Sequence, residues 1–384
     1  MKSESIVYVN FSPYENTGHI LDFILNEYED VLLFVFSFHK LSKKESNKLI
    51  IFNKGKIVSE MSLLQIPTPE ILIFLFIPLR SSLNMLQLVW HLFKLKKKYK
   101  KYDVYFTVNA FTAWVGCILK KIKMVKHTIF WVWDYYPPLH PNLITVFMRS
   151  LYWMFDKYAT NNIDVVVFLN KRLLMLRQDI GILKNPNNYQ IVPIGTKVEK
   201  TFKKNTTQLS LCFIGVVKKS QGLDLFFDNI KMIRNKFPGL SLHIIGDGPD
   251  LSYYKKRASR SGVNVKFYGL LNITDPMVLK VFSESNIGFA PYKPEAGNVS
   301  YYGDPSKIKM YISFGLPVVT TDVFYFSSEL KDSGAGIIVS YEEPHSLLNA
   351  FSEIINNYEK FQNDSYKLAR KYEYKKMYHK LFLK

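Results

Sequence analysis

Two lysine-bearing segments of this chain have the residue types and spacing to grip a phosphate. The first runs Tyr301-Tyr-Gly-Asp304-Pro305-Ser306-Lys307 through Gly315-Leu-Pro317 to Asp322. Asp304 suits an N-cap and Pro305 the first helical position, while Gly315 ends the helix before Pro317 and the next strand. Ile308, Tyr311 and Ile312 recur at spacings of three and four, which turns one face into a core and leaves Lys307 on another, in the first turn. A cation there opposes the helix dipole, and the nearby backbone N–H groups attract anions, so a bound phosphate accounts for both features. The alternative is a solvated surface lysine on an ordinary helix.

The second segment is Phe213-Ile-Gly215-Val-Val-Lys218-Lys219-Ser-Gln221-Gly222-Leu-Asp224. A strand ending in glycine, a short loop with two lysines and a helix after Gly222 give close backbone approach and point charges at the carboxyl edge of a sheet. A third loop, Ile244-Ile-Gly246-Asp-Gly248-Pro-Asp250, has only two of the three glycines of a dinucleotide site and reads as a tight turn into a helix.

The elements that must position these loops alternate along the whole chain. Strand-like runs occur at 5–9, 31–36, 104–108, 128–132, 164–168 and 189–192, and a second series at 209–214, 241–245, 263–267, 287–290, 317–320 and 336–339. Most are unbroken apolar runs, as parallel strands covered on both faces require. Two βαβ series predict an α/β protein of two Rossmann-like, doubly wound domains, with the crevice between them the first place to look for a ligand. The boundary is expected in the polar stretch Gly195 to Gln208, giving domains over 1–195 and 196–365 and a basic helix over 366–384.

At 384 residues with 48% hydrophobic content, the chain can bury two sizeable cores, which excludes a disordered tail or a short peptide-binding module. Its net charge of +19 implies an anionic partner. That charge is concentrated: ten lysines and one acid lie between His91 and Lys126, and seven basic residues and one acid between Tyr366 and Lys384. Two patches on a nearly neutral body favour local contact with an anionic membrane surface over nucleic acid. Lys94 to Lys101 follow an apolar-rich stretch (Leu83, Leu86, Val89, Trp90, Phe93) and could rest on lipid headgroups.

Cys117 and Cys212 sit in apolar surroundings and read as core thiols of a reducing compartment. Met1 to Ser5 is polar and the apolar run from Ile6 is interrupted at Asn10, unlike a signal peptide. Ile71 to Leu79, with Pro78 inside it, falls far short of the roughly 20 residues that span a bilayer. The expectation is a cytoplasmic protein, peripheral on the inner face of the membrane.

In their order these pieces resemble the retaining GT-B glycosyltransferases of group 1, over nearly the whole chain. The matching fragments are the glycine loop Tyr14-Glu-Asn-Thr-Gly18-His19, Trp131-Val-Trp-Asp134-Tyr-Tyr-Pro137, Asp164 to Asn170 and Val192-Pro-Ile-Gly195. In the second half they are the Gly215 to Asp224 loop, Ile244 to Pro249, and Pro305-Ser-Lys307 through Val319. The resemblance implies a nucleotide-diphosphate sugar as donor, bound by Gly215, Lys218, Lys219, Ser306, Lys307 and the Met310 position. It implies Asp134 near the acceptor, where a carboxylate could orient or deprotonate a hydroxyl, and Gly18 and His19 beside the donor phosphates or the acceptor. Asp134 also reads as a turn residue before Pro137, and His19 as a cap or surface residue.

The departures matter. The group commonly has two glutamates separated by seven residues; here the second position is Met310, and eight residues earlier stands Tyr302. A thioether cannot accept strong hydrogen bonds from ribose hydroxyls, so ribose recognition must differ. Glu295 could supply a sugar-facing carboxylate from the loop after 287–290. Val216 and Gln221 replace the usual Arg and Lys of the phosphate loop, leaving Lys218 and Lys219 as substitutes, whereas Lys307 matches directly. No Asp-x-Asp pair and no His/Cys cluster with ligand spacing occurs, which disfavours a metal-dependent GT-A enzyme and implies no metal or other cofactor.

The expected activity is metal-independent, retaining hexosyl transfer to a glycan or lipid-linked acceptor in cell-surface polysaccharide synthesis. A nucleotide-sugar epimerase of GT-B architecture and a non-catalytic relative that binds anions or membrane remain open alternatives. The sugar and the base are open too.

Overall fold

The structure is a computed structural model and describes residues 2–10, 15–37, 46–68, 72–97, 99–133, 135–137, 142–184, 188–199, 208–273, 275–295 and 298–382. The chain divides into two compact units, residues 1–193 with 377–384, and residues 194–376.

In the first unit the described strands are β1 (Lys2–Asn10), β2 (Tyr28–Val35), β3 (Lys48–Asn53), β4 (Lys56–Ser62), β5 (Tyr102–Thr107), β6 (Val125–Val132), β7 (Val165–Phe168) and β8 (Tyr189–Ile191). They form one sheet in the order β4-β3-β2-β1-β5-β6-β7-β8. The helices are α1 (Ile20–Glu27), α2 (Ile73–Leu95), α3 (Ala110–Lys121), α4 (Leu143–Asn162) and α5 (Lys171–Asp179). Asparagine side chains at 109, 142 and 170 accept from the first-turn amides of α3, α4 and α5, which fixes where each helix begins. Leu88 and Leu92 of α2 and Phe111, Val115 and Leu119 of α3 cover one face of the sheet, with Tyr152 and Phe155 of α4 packed against them.

All six strand-like runs of this half are strands. The sequence reading missed β3 and β4, which add an antiparallel hairpin at the sheet edge. The mostly exposed side chains of β4, Ile57 and Val58 among them, hide it, although Lys54 (φ 49°) and Gly55 (φ 74°) form the two-residue turn that such a hairpin needs.

The second unit carries β9 (Ser210–Ile214), β10 (Ser241–Ile245), β11 (Asn264–Phe267), β12 (Ile287–Ala290), β13 (Val318–Thr320) and β14 (Gly336–Ile338), all parallel, in the order β11-β10-β9-β12-β13-β14. Its helices are α6 (Asp224–Asp228), α7 (Ile230–Lys236), α8 (Leu251–Ser259), α9 (Pro276–Glu284), α10 (Ser306–Ser313), α11 (Ser327–Asp332), α12 (Pro344–Asn356) and α13 (Tyr358–Lys371). The order reverses direction between β9 and β12, and ligands of doubly wound sheets bind outside the carboxyl ends of strands at such a switch point. The loops following Ile214 and Ala290 therefore frame the natural site of this unit.

The basic helix expected over 366–384 is divided. α13 ends at Lys371, and a separate helix, α14 (Tyr374–Leu381), follows. The break at Tyr372 and Glu373 is drawn into strand-like pairing, with Thr196 N donating to Tyr372 O (2.8 Å) and Tyr374 N to Thr196 O (2.9 Å). The chain end then packs on the other face of the first sheet, where Tyr378 meets Phe23 and Trp131, and Phe382 meets Phe23 and Phe106. Its aromatics pull this basic segment out of a purely surface role, and Lys367 and Lys371 pair with Asp364 and Glu329.

Candidate functional site: an anion cradle at the β9–β12 switch point

Three backbone approaches build the cradle. Gly215 (φ 140°) follows β9, and its N–H donates to Ile245 O (2.9 Å). A Cβ on Gly246 (φ 139°) would stand 1.9 Å from Gly215 O, so only glycine lets the loops after β9 and β10 meet. A Cβ on Gly222 (φ 78°) would stand 1.7 Å from Pro291 O, which fuses the lysine loop to the loop after β12. Lys293 N donating to Ser220 O (3.1 Å) completes that junction.

α10 supplies the cation. Ile308, Tyr311 and Ile312 are wholly buried, as their spacing predicts. The Tyr311 hydroxyl accepts from Ile214 N (2.8 Å), and its ring occupies the space that a Cβ on Gly288 would take, so α10 is locked to the ends of β9 and β12. This places Lys307 over Gly215: a Cβ added to that glycine would lie 3.0 Å from Lys307 Nζ.

Lys307 is half-buried rather than the solvated lysine of the alternative reading. Its ammonium lies 4.6 Å from the ring centroid of Phe213 and 4.4 Å from that of Tyr292, and donates to Gln221 Oε1 at 2.6 Å. Among the described residues no carboxylate pairs with it. Burial, and secondarily the Lys218 cation, lower its pKa to about 7. The aromatic faces partly offset the lost hydration. An anion would supply the missing charge, and the open backbone at Gly215 leaves room for it.

The expected residues are not all gathered. Lys218 is half-buried, and its cation lowers the pKa of Lys307. Lys219 is exposed, 4.9 Å from the Tyr253 ring centroid, while its backbone N–H donates to Asp250 Oδ2 (2.8 Å). Ser306 is exposed at the start of α10, and Met310 is half-buried one turn beyond Lys307. Glu295 is exposed and paired with Lys293 (3.1 Å) in the loop that carries Tyr292. The sequence reading did not single out Phe213 or Tyr292. The aromatic content of the two strand ends was the available signal.

Asp304 does not cap α10. The helix starts at Ser306, with Pro305 at the N-cap and no side-chain cap bond. The Asp304 carboxylate instead accepts from Lys309 Nζ (2.5 Å) and Ile194 N (2.6 Å), and Lys309 also donates to Ile194 O (2.8 Å). Both side chains are almost completely buried, with the ammonium 4.4 Å from the Tyr372 ring centroid. The buried Lys309 ammonium, five residues on, and the Ile194 amide, 110 residues away, outcompete the first-turn amides of α10.

In the first unit, Gly18 (φ 61°) and His19 (φ 65°) form a left-handed turn into α1. His19 Nδ1 lies 2.8 Å from Asp22 Oδ2, Asn16 Oδ1 accepts from the amides of Leu21 and Asp22, and Gly18 O accepts from the Tyr378 hydroxyl (2.8 Å). The His19 side chain does not cap α1: Asn16 takes the helix amides, and the histidine ring meets the Asp22 carboxylate. Asp134 lies outside the described residues. Among the described residues no cluster of three or more His, Cys, Asp or Glu side chains could hold a metal ion.

Residues 208–357, which hold the whole cradle, match the family described as glycosyl transferases group 1. No curated protein matches the chain. Among solved structures, it is similar to HepE of Anabaena, solved in complex with UDP (12% identity, 98% of each chain covered, TM-score 0.66). It is also similar to sucrose-phosphate synthase of Thermosynechococcus elongatus (14% identity, 98% of this chain and 97% of that one, TM-score 0.65). A third is WaaG, a glycosyltransferase involved in lipopolysaccharide biosynthesis (15% identity, 98% of each chain, TM-score 0.62). The fold is that of the GT-B glycosyltransferases, the group to which the order of sequence motifs points.

Proposed function

We propose, from the premise that this chain has the group 1 glycosyltransferase fold, that it transfers a sugar from a nucleoside diphosphate to a hydroxyl of a glycan or lipid-linked acceptor. The observation that carries this reading is Lys307, an ammonium enclosed by two aromatic rings over the open backbone of Gly215 and paired, among the described residues, with a neutral amide and no carboxylate. A diphosphate is the partner such a site lacks. HepE, whose fold is similar, has been solved with UDP and with UDP-glucose.

In this reading the acceptor oxygen bonds to the anomeric carbon as the bond from that carbon to the β-phosphate oxygen breaks, and the acceptor proton leaves to a base. Negative charge then grows on the departing diphosphate. Lys307 and Lys218 meet it without a metal, as cations held over the open backbone of Gly215. Lys219 and Ser306, at the rim, and Met310, beside the helix start, belong to the donor pocket in this reading. Glu295 faces the sugar, Asp134 orients or deprotonates the acceptor hydroxyl, and Gly18 and His19 belong to the acceptor side. The transfer is of the retaining, hexosyl type and serves cell-surface polysaccharide synthesis on the cytoplasmic face of an anionic membrane.

The test is nucleoside diphosphate release from a panel of nucleotide sugars with and without lipid-linked acceptors. Acceptor-dependent release that Lys307→Ala abolishes is the expected result. Unchanged turnover of that variant removes Lys307 from the site, and epimerised donor formed without acceptor replaces transfer by epimerisation.

A further inference from the structure

α2 is apolar on two sides. Its inward side buries Leu88 and Leu92. Its outward side carries Leu75, Leu79, Leu86, Trp90 and Phe93, whose spacings of three, four and seven align them along one line of the helix. Leu86 is 68% exposed and Trp90 67%. α4 packs beside α2 and repeats the pattern with Leu143, Phe147 and Met154, Phe147 being 66% exposed. Isolated exposed apolar residues are ordinary, but two adjacent helices with apolar outward lines mark an interaction surface.

The charge next to this surface identifies what covers it. Lys94, Lys96, Lys97, Lys100 and Lys101 are exposed at the end of the α2 line, and among the described residues none of them forms an ion pair. Further along the same basic run, Lys120 pairs with Asp164 and Lys126 with Asp103. Lys121 donates to the Tyr158 hydroxyl (2.7 Å) and Lys123 forms no ion pair among the described residues, so the five lysines adjoining the apolar line are the largest unpaired group of the run. α2 contains no acidic residue, and the one acid of α4, Asp156, is buried against Arg177, so a second copy of this face brings no counter-charge. Lipid phosphates do. No helix among the described residues is long and apolar enough to cross a membrane, which leaves a helix pair lying along one.

We propose that the outward faces of α2 and α4 form a platform that lies in the interface of an anionic bilayer. Leu86, Trp90, Phe93 and Phe147 enter the headgroup boundary, and Lys94, Lys96, Lys97, Lys100 and Lys101 rest on lipid phosphates. Trp90, with an apolar ring and an N–H donor, suits that depth. The platform deepens the membrane element of the proposed function, yet it rests on the surface of the first unit alone and is independent of the sugar chemistry.

Flotation of the full chain with vesicles tests it. Binding is expected to phosphatidylcholine vesicles containing phosphatidylglycerol and to be lost on pure phosphatidylcholine. Each surface lysine contributes enough near an anionic leaflet that Lys94→Glu, Lys96→Glu and Lys97→Glu together should weaken binding by at least about tenfold. Leu86→Asp with Trp90→Asp should do the same. Both variants should keep the melting temperature of the parent and its shift with UDP, since these side chains touch solvent. Undiminished flotation of both variants overturns the proposal, as does a parent oligomer that Leu86→Asp with Trp90→Asp splits into monomers without lipid. Loss of the UDP shift in the parent, with flotation intact, counts against the proposed transfer alone.

Discussion

Lys307 donates to Gln221 Oε1 across 2.6 Å, so the ammonium at the heart of the cradle is matched by a neutral amide instead of a carboxylate. A charge held this way costs stability that only an anionic ligand restores. Function and stability should then pull in opposite directions at this residue. Lys307→Met is expected to raise the stability of the ligand-free protein by about 1 kcal/mol at pH 6, because it removes a poorly compensated ammonium and keeps the stem. The same substitution should abolish the melting shift produced by nucleoside diphosphates. A variant that melts lower than the parent and still responds to UDP would contradict both halves.

The pH dependence has a defined sign. Lys307 is lowered to about 7 by burial and by Lys218, whereas an unfolded lysine titrates near its ordinary value. Between those values the unfolded chain binds more protons, so this residue makes stability rise with pH from about 7 upward. Diphosphate binding runs the other way over the same interval, because only the ammonium attracts the anion. Affinity should fall from pH 7 to pH 8.5, and titration calorimetry in buffers of different ionisation heat should register proton uptake on binding near pH 8. Binding without proton exchange at that pH would place Lys307 outside the ligand's reach.

Asp304 and Lys309 form the second buried charge arrangement of α10, and here the pair is complete. The carboxylate and the ammonium both hold the backbone of Ile194, so the pair ties the start of the second unit's chain to the helix that carries Lys307. Removing one partner leaves the other buried and unpaired, so Lys309→Met should cost roughly 3–5 kcal/mol. Asp304→Asn with Lys309→Met should recover much of that loss. Chemical denaturation of these two variants and of Asp304→Asn alone measures the coupling. Equal losses in the single and double variants would mean that the pair contributes only packing.

How far the sequence shows the fold depends on how local each signal is. Unbroken apolar runs reveal most of the buried parallel strands, from Ile6 to Val9 and from Val318 to Thr320, because burial on both faces leaves only one kind of residue to choose. β4 escapes because an edge strand with exposed Ile57 and Val58 shows no inward apolar face, whereas β3, the buried run Leu49 to Phe52, carries a legible signal that the reading passes over. Lys307 is legible from its place in the first turn of α10, and Gly215 from its place after a strand. Their shared surroundings are not, since Tyr292 and Gln221 reach Lys307 only after β9 and β12 have become neighbours. Asp304 is misread for the same reason: a capping pattern is local, but its carboxylate is held by Ile194, 110 residues away.

Gly222 offers a direct test of the junction on which the cradle depends. At φ 78°, any other residue bears backbone strain, and a Cβ would stand 1.7 Å from Pro291 O, so Gly222→Ala must push the lysine loop away from the loop that carries Tyr292. Gly181 is the matching control, because at φ 69° it shares the strain but has nothing within 4 Å of the added carbon. Gly181→Ala should cost only about 1 kcal/mol, the ordinary price of a left-handed alanine. Gly222→Ala should cost at least about 2 kcal/mol and also weaken diphosphate binding several-fold, since separating the loops parts Lys218 and Gln221 from the Lys307 and Tyr292 side of the site. Denaturant midpoints give the stability terms and calorimetry the affinities. Equal effects of the two substitutions on binding would show that the fused loops do not shape the cradle.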